Sequence, residues 1–61
     1  MGAKLLSYYA FAKEQGGAVF QMRLAVATGL PSTRAGDAPD SPENIQKFRD
    51  AVFQVTGKHA D

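Results

Sequence analysis

With 61 residues, no cysteine, a single histidine (His59) and a net charge of +1, this chain has room for one small domain and few kinds of chemistry. Disulfides and thiolate metal sites are excluded, imidazole ligands have nothing to cluster with, and the charge is too small to suggest a nucleic-acid or anionic-membrane partner. A chain this short buries only about 60% of the surface it exposes when unfolded, so oligomerisation or docking on a larger protein is the favoured route to a stable core.

The first segment, residues 3–15, places Leu5, Leu6, Tyr8, Tyr9, Phe11 and Ala12 at helical i, i+3 and i+4 spacing, with Lys4, Ser7, Lys13 and Glu14 on the wetter side. Gly16-Gly17 supplies a helix stop. This start imitates a secretory signal only superficially, because its apolar stretch is too short and the A-x-A at 10–12 lies inside the helix. Gly2 does not fit a myristoylation pattern, since Leu6 stands where Ser or Thr is required. No apolar run approaches the ~20 residues of a membrane span, so the expected location is the cytoplasm.

The second segment, residues 18–28, has only Gln21 and Arg23 as clearly polar interior positions. A helix apolar nearly all round is expected to be covered on most sides, and two other short helices cannot readily cover it. Val19, Phe20 and Val26 would also suit a strand, but the Ala and Leu content and the lack of a partner strand favour helix.

Residues 29–41 break the periodicity. Pro31 and Pro39, with Pro42 just beyond, remove backbone donors and disfavour helix in the residue before each, so a loop is expected. The third helix then spans residues 42–56: Ser41 is an N-cap, Pro42 suits the first helical position, and Glu43 places a carboxylate where the helix dipole favours it. Ile45, Phe48, Val52 and Val55 form its apolar stripe, Gly57 ends it, and residues 58–61 should fray.

Residues 24–34, Leu24-Ala25-Val26-Ala27-Thr28-Gly29-Leu30-Pro31-Ser32-Thr33-Arg34, resemble the passage into the recognition helix of helix-turn-helix regulators, notably winged-helix repressors of the IclR type. The resemblance implies that Ser32, Thr33 and Arg34 would face the major groove. Beyond Arg34 the chain departs from that pattern. Ala35 to Pro39 would end the helix within a turn, and Asp37 and Asp40 set negative charge where phosphate contact calls for cations.

Other constellations have plainer explanations. Asp37, Asp40 and Glu43 lack the alternating ligands and central glycine of a calcium loop, and Asp40 and Glu43 flank a helix N-terminus. Tyr8, Tyr9 and Phe11 lack the basic groove of a base-stacking platform. His59 has no third group to orient it, and Glu14 and Asp50 fall on polar helix faces, so neither nucleophilic nor acid–base catalysis is expected.

The expectation is therefore a single all-α domain over residues 1–61: a helical hairpin plus a C-terminal helix, without cofactor or metal, and not an enzyme. It is completed by a second copy or a larger protein and serves assembly or as an accessory subunit. Leu5, Tyr8, Tyr9, Phe20, Met22 and Leu24 are the expected interface, and Ile45, Phe48, Val52 and Val55 the internal core. The alternative is a small DNA-binding regulator using Ser32, Thr33 and Arg34, with nucleic acid disfavoured as a partner.

Overall fold

The computed structural model describes residues 2–60. Four helices follow one another: α1 (Ala3–Gly16), α2 (Ala18–Thr28), a one-turn α3 (Ser32–Ala35) and α4 (Pro42–Thr56). There is no strand among the described residues, and the β-forming side chains of residues 18–28 sit on a helix packed against both α1 and α4.

A single residue, Gly17, separates α1 from α2. Its φ of +75° and ψ of −158° belong to a region that side chains exclude, and its N–H donates to the Lys13 carbonyl, closing α1 as the chain reverses. Gly29 ends α2 by donating to Ala25 O, and Gly57 ends α4 by donating to Phe53 O. At the start of α4, the Ser41 hydroxyl accepts from Asn44 N–H at 3.2 Å, so the cap forms as its residue type dictates.

The segment between α2 and α4 is more ordered than a loop. Pro31 offers its carbonyl to the N–H groups of both Arg34 and Ala35 at 2.8 Å, and Ala35 is fully buried. The turn it forms is tied to the chain start, where Gly2 N–H donates to Gly36 O at 3.1 Å and the backbone N–H of Lys4 reaches the Asp40 carboxylate at 3.3 Å. Asp40 thereby serves the first turn of α1, which lacks a side-chain cap of its own. A Cβ on Gly2 would lie 1.7 Å from the Ala35 carbonyl oxygen, so this close approach of two backbones requires glycine.

The core gathers Leu5, Tyr8, Tyr9 and Ala12 from α1, Leu24 from α2, Ala35 from α3, and Phe48, Ala51 and Val52 from α4. Phe48 stacks on Tyr8 with ring centroids 6.0 Å apart and meets Tyr9 edge-on at 5.9 Å. Ile45 is half-buried against this cluster, and Val55 is half-buried as well.

Two expectations are corrected here. Leu5, Tyr8, Tyr9 and Leu24, expected between chains, lie inside the single chain. The small side chains of Ala12 and Ala51 sit in the same cluster, and the aromatic rings of α1 close over Phe48 without help from another polypeptide. Of residues 58–61, expected to fray, 58–60 fold back, and Asp61 lies outside the described residues. The Thr56 hydroxyl donates to Lys58 O at 3.0 Å and accepts from Lys58 N–H, His59 stacks on Phe53 with centroids 4.5 Å apart, and Ala60 rests on the core.

Candidate interaction surface

Because Tyr8, Tyr9 and Phe48 are used internally, most of the surplus apolar surface falls elsewhere. On α2, Leu24 and Thr28 point inward, and Gln21 donates to the Tyr9 carbonyl at 3.1 Å, which fixes the helix rotation. Thr28 is satisfied in its buried position by Leu24 O at 2.8 Å. At 3.6 residues per turn, Val19, Met22 and Val26 must then share the opposite face. They are 56%, 70% and 85% exposed.

Arg23 and Ala27 flank this stripe, and with Met22 and Val26 they border a shallow depression of about 310 Å³. Arg23 is the single charged side chain of α2. Its guanidinium carbon lies 5.9 Å from the centre of the Phe20 ring, which draws the charge back along the helix toward its N-terminus and off the stripe. The exposed Ala18 and Ala27 project little, so a second helix could approach closely.

Of the residues expected to form an interface, only Met22 is on this face. Phe20 is half-buried and lies over Gly16, where a Cβ would come within 2.4 Å of its ring. Val19 and Val26 were not expected there. The i, i+3, i+7 spacing of Val19, Met22 and Val26 was visible, but a helix apolar on every side gives no sign of which stripe turns outward until its packing partners are known.

The other candidate residues lie apart from this stripe. Ser32, Thr33 and Arg34 are exposed on α3, which is four residues long and is followed by Asp37 and Asp40. A second surface groove, of about 420 Å³, lies along α4 between Arg49, Asp50, Phe53 and His59, and there Gln46 donates to the Asp50 carboxylate at 2.9 Å. Among the described residues no group of three or more metal-ligating side chains is brought together. No helix of the described residues is long and apolar enough to cross a membrane.

Comparison with known protein families, curated proteins and solved structures finds no match to this chain.

Proposed function

We propose that this chain is a non-enzymatic helical interaction module of the cytoplasm, which acts by docking another polypeptide on the outer face of α2. The observation that carries this reading is the exposure of Val19, Met22 and Val26 in one stripe of a fold whose core is otherwise closed. A contiguous apolar patch with a polar edge is the surface expected of a contact site, whereas scattered exposed side chains need no explanation. Met22 adds an adaptable side chain near the middle of the patch, where an unbranched thioether can conform to a partner.

The test is a comparison of the wild-type chain with the double variant Met22→Glu, Val26→Glu. Both positions face solvent, so helicity by circular dichroism should be unchanged. Crosslinking and co-purification from the cells that make the protein should recover a stoichiometric polypeptide partner, either a second copy or another protein, with the wild type and lose it with the variant. Equal recovery by both chains would overturn the reading.

A further inference from the structure

Met22 stands in the middle of the outer stripe of α2 and is 70% exposed. It borders both depressions on that side of the helix: the one of about 310 Å³ shared with Arg23, Val26 and Ala27, and another of about 250 Å³ that reaches Tyr9 and Pro31. The chain has no cysteine and no tryptophan, and its only other methionine is Met1. Tyr8 and Tyr9 are sealed in the core. Among the described residues, the Met22 thioether is therefore the side chain most open to a mild two-electron oxidant. We infer that Met22 is a reversible oxidation site, at which a peroxide turns the docking face from apolar to polar and releases what is bound there. This rests on the docking reading above and adds its regulation.

In the forward step a sulfur lone pair attacks one oxygen of hydrogen peroxide. The S–O bond forms as the O–O bond breaks, and the second oxygen leaves as hydroxide, which takes the proton carried by the first and becomes water. Sulfur is oxidised by two electrons and the peroxide is reduced. The reverse step, that of the methionine sulfoxide reductases, takes two thiols: the sulfoxide oxygen leaves as water and the thiols join as a disulfide. This chain has no thiol, so its reductant comes from outside.

The product sets an acceptor oxygen where the stripe had a thioether. Covered by a partner without a donor for it, that oxygen costs free energy. On this chain's own side none is placed to satisfy it: Val19, Val26 and Ala27 carry no side-chain donor, and the Arg23 guanidinium is drawn toward Phe20. Left in water, the same oxygen spares the fold. Met22 lies outside the core cluster, and α2 is held by Leu24, Thr28 and the Gln21 hydrogen bond to Tyr9.

The test treats the full chain with dilute hydrogen peroxide and follows it by peptide mass mapping, circular dichroism and retention on a phenyl matrix. Met22 should gain one oxygen at a rate within about threefold of free methionine, with helicity unchanged, and the oxidised chain should elute earlier. Methionine sulfoxide reductases supplied with a dithiol should restore the original retention. Met22→Leu keeps Met1 and a similar apolar volume, so it should elute at one position before and after peroxide. Oxidation far slower than that of free methionine, loss of helicity on oxidation, or an equal shift in Met22→Leu overturns the proposal.

The polypeptide that co-purifies with the wild type should be retained at least about tenfold less after oxidation, and fully again after enzymatic reduction. Equal retention by the oxidised and reduced wild type overturns the switch and leaves the docking reading standing. A reduced wild type that recovers no more than the double variant overturns both.

Discussion

Tyr9 carries its ring into the core beside Phe48 and its hydroxyl to the Leu30 carbonyl, just after the turn at Gly29, so one side chain fixes where α2 ends relative to α1. Burial holds this phenol above its ordinary value of 10.0, while a hydrogen bond with Thr28 pulls the other way. A folded-state value raised above the unfolded one means that the neutral phenol is favoured by the fold. Its contribution to stability is therefore complete below the unfolded value and is lost as pH rises through the folded one. Tyr9→Phe should cost about 1 kcal/mol at neutral pH by removing the hydrogen bond, and should flatten the fall in stability at alkaline pH. Urea unfolding across pH checks both, and an unchanged alkaline slope would count against the role given to Tyr9. Gly2 poses the opposite problem, since it has no room for a side chain. Gly2→Ala should destabilise by about 1–3 kcal/mol in a thermal melt, because the Ala35 carbonyl must move. Nothing in the sequence announced that approach, beside which the Gly2 N–H donates to Gly36 O, 34 positions along the chain.

At the scale of elements, α4 was the most legible. Ser41 and Pro42 at its start and Gly57 at its end are local signals, and the structure starts and stops the helix there. Ser41→Ala should cost about 1 kcal/mol in chemical denaturation. The bounds of α1 and α2 were legible for the same reason, through the glycines that separate and end them. The rotation of α2 was not, because it depends on which neighbours reach it. Leu24 and Val26 are two residues apart and similarly apolar, yet one is sealed and the other 85% exposed. Leu24→Ala should lower stability by about 2–5 kcal/mol, whereas Val26→Ala should change it by less than about 0.5 kcal/mol. Comparable losses at both sites, measured side by side, would mean that the helix is turned differently. The single turn of α3 was legible only through the helix-turn-helix resemblance, which implied a helix from Ser32 ending within a turn; its four residues carry no helical period of their own, and the turn is held by the burial of Ala35 and by the Gly2 N–H on Gly36 O.

At the scale of the molecule, the expectation of excess apolar surface placed that surface on the wrong residues. Aromatic rings at helical spacing were read as an interface because the core was assumed too small to hold them. The packing of Tyr8, Tyr9 and Phe48 around Ala12 and Ala51 shows that three short helices suffice. The most exposed apolar surface left over is the outer stripe of α2, and the proposed docking depends on that division between inside and outside. The most direct measurement is broadening of methyl NMR signals by a soluble paramagnetic probe in a dilute sample, where self-association is negligible. The methyls of Val19, Met22 and Val26 should broaden strongly, while those of Leu5, Leu24 and Val52 stay sharp. Broadening of Leu5 and Leu24 to the same extent, or protection of Met22 and Val26 in the dilute monomer, would contradict the division on which the proposed docking stands.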